Sequence, residues 1–126
     1  MLEQLLCLAE MVYFEARSEA VVDQIPVAYS AKNRAEHSSY PNTLCEVVHK
    51  PYAYSYYSDG KPETFNNKEA YGMSLYVSFL VITNIASDPT EGSTHYHHVH
   101  QPAWWAIGKK PTRIAGFHVF YNNIEK

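Results

Sequence analysis

The chain is short of cysteine, of clustered positive charge and of long apolar runs, and each shortage removes a class of protein. Two cysteines, Cys7 and Cys45, among 126 residues make no disulfide framework, and no CxxC or Cys/His finger spacing is present. Both lie in apolar helical patterns, which favours two buried, inert thiols; a single disulfide is the alternative, open to a chain that ends in an oxidising compartment. Ten basic residues against 13 acidic ones leave a net charge of −3. With no Lys/Arg stripe either, no nucleic-acid partner is expected. No apolar run approaches the about 20 residues that cross a bilayer, so no membrane insertion is expected. The opening "MLEQLLCLAEMVYFEA" has early acids and no basic stretch, unlike a secretory signal peptide. A GxSxG elbow and an HExxH helix are both missing, which removes two common routes to a nucleophile or a zinc site.

What is there reads as one globular domain spanning residues 1–126, 46% hydrophobic and 18% charged. Its 11 tyrosines offer flat apolar faces with polar tips, which suit sugar rings as well as a small core. Residues 2–16 read as a helix with Leu2, Leu5, Leu6, Ala9, Val12, Tyr13 and Ala16 on one face. Glu15 falls at the border of that face, beside Leu8 and Met11. A second helix is expected over 24–36, with Asp23 as N-cap and Pro26 in the first turn. "NTLCEVVHK" reads as a short helix from Asn42 or Thr43, with Glu46 as a capping-box partner and Pro51 closing it. Residues 52–65 read as a loop with a turn at Ser58-Asp59-Gly60. A long helix follows over about 66–86, apolar nearly all round and hence central. "THYHHVH" and "IAGFHVFY" then read as strands of an antiparallel hairpin around "QPAWWAIGKKPT". Helices first and a small sheet last make the fold α+β.

Two constellations carry chemistry. Four histidines, His95, His97, His98 and His100, fall within six residues. On a strand His95 and His97 share one face while His98 and His100 share the other. A two-histidine metal site, with His118 as a third ligand, is thus one reading; hydrogen-bonding histidines lining a polar groove are the other. The second constellation is "YFEARSE". Glu15 and Glu19 are four apart and share a face if the helix continues. Two like charges with an apolar flank raise one pKa, and a carboxyl protonated near neutral pH can protonate a glycosidic oxygen. A solvated helix end is the plain alternative.

Five blocks in order resemble the SleB/CwlJ-type cell wall hydrolases, the spore-cortex-lytic enzymes and their bacterial and phage relatives. They are "CLAEMVYFEARSEAVVDQIPVAYSAKNRA", "YPNTLCEVVHK", "YSYYSDGKPE", "SDPTEGSTHYHHVHQPAWWA" and "IAGFHVFY". The chain departs from the family pattern in having Ser18 for a glycine, Tyr54-Ser55-Tyr56 for Phe-Ser-Trp, and His98 after the His-Tyr-His run.

The resemblance implies a small fold distantly like lysozymes and lytic transglycosylases. It implies muralytic activity on peptidoglycan glycan strands, between N-acetylmuramic acid and N-acetylglucosamine, with the family's essential acid falling on Glu15. A lytic transglycosylase is expected, forming a 1,6-anhydro end with no cofactor and no metal. Glu19 is then a second carboxylate, a group tuning Glu15, or a structural residue. Thr94, His95, Tyr96 and His97 are expected as one wall of the sugar groove, only one parity facing it, and Ser55 and Tyr56 as another. One of Trp104 and Trp105 is expected in the core, and His118 is expected to buttress the hairpin. The alternatives are a lysozyme-type hydrolase of the same bond, a metal-dependent peptidoglycan peptidase using His95–His100, and a glycan-binding module without turnover. With no leader visible, a monomeric phage endolysin is expected, synthesised in the cytoplasm and reaching the wall by a holin-dependent route.

Overall fold

The computed structural model describes residues 1–58 and 64–125. Helix α1, Leu2–Ala16, is the central element. Leu8, Ala9, Met11 and Val12 have no exposed surface at all, whereas Leu2 is 67% and Leu6 42% exposed. The buried stripe is therefore rotated from the expected face toward Leu8 and Met11, because three later helices, Val21–Ala35, Leu44–Val48 and Lys68–Ile82, pack on that side. The rotation matters for the site, since Glu15 follows Met11 by one turn and Leu8 by two.

Helix α2 runs Val21–Ala35, three residues earlier than its periodicity suggests. Ala20 is the N-cap, and no side chain caps it. Asp23 is thus a first-turn acid favoured by the helix dipole rather than the cap. Pro26 lies in the second turn, at the loss of one backbone hydrogen bond. Helix α3, Leu44–Val48, starts at Thr43, whose hydroxyl oxygen accepts the Glu46 N–H at 3.2 Å. The Glu46 carboxylate accepts the Thr43 hydroxyl at 2.8 Å rather than the Thr43 N–H, so Thr43 caps the helix without the return bond of the expected capping box. A short helix α4, Ser55–Ser58, stands inside the stretch expected to be a loop. The expected turn over Ser58-Asp59-Gly60 runs outside the described residues.

Helix α5, Lys68–Ile82, is capped by the Asn67 side chain, which accepts the Ala70 N–H at 3.0 Å. It is not buried on all sides. Its inner face is Ser74, Val77, Ser78 and Val81, while Met73, Tyr76 and Phe79 are 41–54% exposed. Small residues on the inner face let the axis approach α1 and α2, so the bulky apolar side chains are left outside. The sheet has three antiparallel strands in the order β1-β3-β2: β1 His95–His98, β2 Arg113–Ala115 and β3 His118–Tyr121. Tyr96 pairs with Phe120 and His98 with His118. β3 is buried along its length and fastens the sheet to the helices through Phe120, which is fully buried. A single turn of 3-10 helix, Trp104–Ala106, interrupts the long β1–β2 connection. The α+β reading and the short antiparallel sheet hold.

The expectation of two buried thiols does not. Cys7 and Cys45 are each partly exposed and are joined by a disulfide with Cα atoms 5.1 Å apart. Packing of α3 across α1 brings them together, a juxtaposition that each local pattern alone cannot reveal. The bond closes a loop with a sequence separation of 38, which in the chain-entropy model is worth about 4 kcal/mol, less any structure retained on unfolding. Reduction, or the double substitution C7A/C45A, is therefore expected to lower the denaturant midpoint by an amount equivalent to about 2–4 kcal/mol. An unchanged midpoint under reducing conditions would show that the bridge adds nothing to stability.

Candidate active site

Glu15 is the last acidic residue of α1. It sits on the buried stripe, three residues beyond Val12 and four beyond Met11. Together with Arg34, Ala53, Tyr54, Ser55 and Tyr96 it lines a narrow cleft of about 110 Å³. A roomier hollow of about 670 Å³, lined by Glu91, Lys109, Lys110, Thr112 and neighbours, contains none of these groups. Volume alone thus points away from the buried carboxyl. Loss of water around the Glu15 carboxyl pushes its pKa above the ordinary value; the Tyr96 hydrogen bond and the Arg34 charge pull it partly back. Glu19 does not figure among these influences.

β1 presents its residues by strict alternation. Tyr96 points inward and donates its hydroxyl to Glu15 Oε1. Its ring lies edge-on to His118 at 5.0 Å and tilted on Phe120 at 5.5 Å. His95 and His97 point to the other face. His95 packs edge-on to Trp105 at 5.0 Å, and its Nδ1 is 3.4 Å from Glu125. His97 donates from Nδ1 to the His98 carbonyl at 2.8 Å, and its Nε2 lies 2.9 Å from the Tyr121 hydroxyl. Thr94 is buried and donates its hydroxyl to Glu125, which also accepts the Tyr40 hydroxyl. Burial works against a charge on Glu125, but those two hydrogen bonds, with a backbone N–H and nearby His95, together hold its pKa low. Of the four expected wall residues, only Tyr96 lines the Glu15 cleft. Among the described residues no group of three or more His, Cys, Asp or Glu side chains converges as a metal site.

The expected i, i+4 pairing of Glu15 and Glu19 fails because α1 ends at Ala16 and the chain turns before Glu19. Glu19 instead faces the β2–β3 turn, its side chain only 4% exposed. Oε1 accepts the Phe117 N–H at 2.9 Å, and Oε2 lies 2.9 Å from His118 Nδ1, off the line of a well-formed hydrogen bond. Gly116 has φ +56°, and a Cβ there would fall 2.2 Å from Glu19 Oε1. Only glycine lets the turn close on the carboxylate. Burial raises the Glu19 pKa, against the Phe117 N–H, and nearby Asp23 raises it further. Burial and neighbouring His98 hold His118 down to about 4. His118 thus supports the sheet, under Tyr96, as its hairpin position suggests.

Ser55 is exposed and lines the cleft as expected. Tyr56 does not line it. It stacks on Phe14 at 4.9 Å and donates to Glu10 Oε2 at 2.7 Å. Its place is taken by Tyr54, the first residue of the same triplet. Trp104 is 84% exposed, while Trp105 packs between the outward histidines and Tyr121.

Arg34 is the residue that sequence reasoning missed. It sits three, four and seven residues beyond Ala31, Ser30 and Val27, all fully buried. A cation on the core-facing stripe of α2 was the available signal. Its Nε donates to the Thr94 carbonyl at 2.7 Å. Its guanidinium carbon lies 5.1 Å from the Tyr40 ring centre and 5.3 Å from that of Tyr54.

Comparison with known proteins places this geometry in context. A family model described as Cell Wall Hydrolase matches residues 18–121. A spore cortex-lytic enzyme of Halalkalibacterium halodurans is 28% identical over 116 residues, 91% of this chain and 33% of that protein. A spore cortex-lytic enzyme of Bacillus cereus is 37% identical over 54 residues, 43% of this chain and 21% of that protein. The chain thus spans a third or less of the length of these curated relatives. The catalytic domain of the Bacillus cereus SleB protein superposes with a TM-score of 0.76 at 25% identity, covering 97% of this chain and 91% of that one. The catalytic domain of the germination-specific lytic transglycosylase SleB from Bacillus anthracis gives 0.74 at 26% identity, covering 94% and 93%.

Two outcomes follow from the geometry alone. Tyr96→Phe removes a hydrogen bond that favours the Glu15 carboxylate, so the Glu15 titration, followed by carbon NMR of the side-chain carboxyl, is expected to move to higher pH; a shift to lower pH would contradict the assigned role. Gly116→Ala places a methyl on Glu19 in a backbone region that costs alanine about 1–2 kcal/mol. It is expected to lower the thermal midpoint by several degrees, whereas an unchanged midpoint would mean that the turn does not need to touch Glu19.

Proposed function

This chain belongs to the cell wall hydrolase family, and on that premise we propose that it cleaves the glycan strands of peptidoglycan between N-acetylmuramic acid and N-acetylglucosamine, as a lytic transglycosylase with Glu15 as its general acid and base. The observation that carries this reading is that, among the described residues, Glu15 is the one carboxyl group lining the cleft. A glycosidase that uses water needs two carboxyl groups flanking the bond, about 5–5.5 Å apart for retention or about 6.5–9.5 Å for inversion. Glu19, the natural second candidate, is committed to the Phe117 N–H and the Gly116 turn. An internal nucleophile removes the need for a partner.

In the proposed reaction Glu15 starts protonated, a state that burial favours. It gives its proton to the glycosidic oxygen as the bond from that oxygen to the muramic acid C1 breaks. The Tyr96 hydroxyl and the Arg34 cation then stabilise the carboxylate left behind. That carboxylate takes the proton of the muramic acid 6-hydroxyl, whose oxygen bonds to C1. The products are a 1,6-anhydromuramic end and an N-acetylglucosamine end with its 4-hydroxyl free. No water is consumed, and Glu15 is returned protonated. Tyr54 and Ser55 form the other side of the cleft, where the Ser55 hydroxyl is exposed to a sugar. The wall is the proposed place of action.

The test is mass spectrometry of purified peptidoglycan digested by the parent and by Glu15→Gln, with and without chelator. Anhydromuropeptides are expected from the parent, reduced about 10²–10⁴-fold by Glu15→Gln and indifferent to chelator. Reducing-end muropeptides would assign a hydrolase of the same bond. Cleaved stem peptides, or full activity of Glu15→Gln, would overturn the assignment of Glu15.

A further inference from the structure

Arg34 is more than a neighbour of Glu15. Its guanidinium is held on three sides: the Thr94 carbonyl takes Nε at 2.7 Å, and the Tyr40 and Tyr54 rings lie 5.1 and 5.3 Å from its central carbon. These contacts use one of its five N–H groups. The two terminal nitrogens carry the other four, and among the described residues no acceptor takes any of them. Nor does any carboxylate lie within 4.0 Å of Arg34 among the described residues. A cation fixed in place, half-buried and with no carboxylate in contact presents its remaining donors to a ligand. Arg34 and Glu15 also line one cleft of about 110 Å³, so a sugar ring that reaches the acid meets the guanidinium too.

We propose that Arg34 is the substrate-anchoring residue of this cleft, its free guanidinium edge taking a planar oxygen acceptor carried by the muramic acid ring whose bond Glu15 protonates. This rests on the glycan reading above and adds the chemistry of the contact. Arginine has donors only, and its flat fork matches a carbonyl or carboxylate oxygen better than a tetrahedral hydroxyl. Muramic acid offers such oxygens in two places: the acetamido group on C2 and the lactyl-stem linkage on C3. Both lie on the ring beside the scissile bond. The aromatic faces hold the fork in position before substrate arrives, so little side-chain freedom is lost on binding.

The experiment separates binding from turnover by titrating glycan-strand fragments into the full chain carrying Glu15→Gln. Adding Arg34→Lys, which keeps the charge and loses the fork, or Arg34→Gln is expected to weaken the dissociation constant tenfold or more. With Glu15 intact, Arg34→Lys is expected to raise KM by a similar factor. N-deacetylated strands that bind the Glu15→Gln chain as weakly as intact strands bind its Arg34→Lys derivative would assign the acetamido oxygen. Strands stripped of stems that do so would assign the lactyl linkage. The Arg34 guanidinium resonances of ¹⁵N-labelled Glu15→Gln protein are also expected to shift on adding strands, a readout that needs no substitution at Arg34. Unshifted resonances would overturn the proposal even if both variants failed to fold. So would parent-like binding by the variants, or an effect confined to the pH profile and restored in full by Arg34→Lys. If the parent cleaves no glycan, the activity reading fails by itself, and the titration still decides whether Arg34 holds one.

Discussion

The hydrogen bond from Tyr96 to Glu15 joins the two halves of this molecule. One partner comes from the end of the central helix and the other from a strand more than 80 residues later. A carboxyl placed on the buried stripe of α1 loses water, which favours its neutral form. Isolated there, it would be a burden with no defined orientation. The tyrosine hydroxyl gives it one fixed partner, and the cleft between helix and sheet gives it one direction in which to act. Burial raises the pKa of the carboxyl while Tyr96 and Arg34 draw it partly back, a balance that suits the acid and base role proposed for it.

The remaining polar groups hold that arrangement together. Glu19 closes the β2–β3 turn against the α1–α2 junction, and Gly116 is the residue small enough to let it. β3, held there, sets the register of β1 and so the height of Tyr96 above α1. At the other end of β1, Arg34 takes the Thr94 carbonyl, while Glu125 takes the hydroxyls of Thr94 and Tyr40. Asp88 orders the preceding loop, accepting from Thr90, Gly92 and Asn33. β1 is thus tied to α2 directly at its Thr94 end and, at its other end, through its pairing with β3, which suits a four-residue strand too short to hold its register by pairing alone. The disulfide between α1 and α3 does the same for the helical half.

Much of this was legible beforehand. The limits of α1 are written in its apolar spacing, which agrees with a helix over its whole length. The Thr43 cap, the antiparallel strands and the α+β class are likewise written in local pattern. The choice of Glu15 as the proposed acid comes from a motif, and the structure supplies its setting. What misled were features whose meaning depends on distant partners. Leu8 and Met11 looked like a border and are core, because α2, α3 and α5 all pack on their side. Glu15 and Glu19 looked like a pair and are not, because the helix stops one residue after Glu15. Tyr56 looked like groove wall, but Glu10 and Phe14 hold it elsewhere.

By itself, then, the sequence determined helices α1, α2, α3 and α5, the antiparallel strands and the family, and it offered Glu15 as the residue proposed for acid chemistry. Periodicity, capping and ordered motifs are local properties, and a few neighbours along the chain decide them. Tertiary structure alone decided which face of β1 meets Glu15, that Cys7 and Cys45 are bonded, that Glu19 serves a turn and that Arg34 enters the cleft. Each of these depends on the packing of elements 38 to 98 residues apart. Side-chain direction across such distances is set by how helices and strands dock, and that is a property of the assembled core.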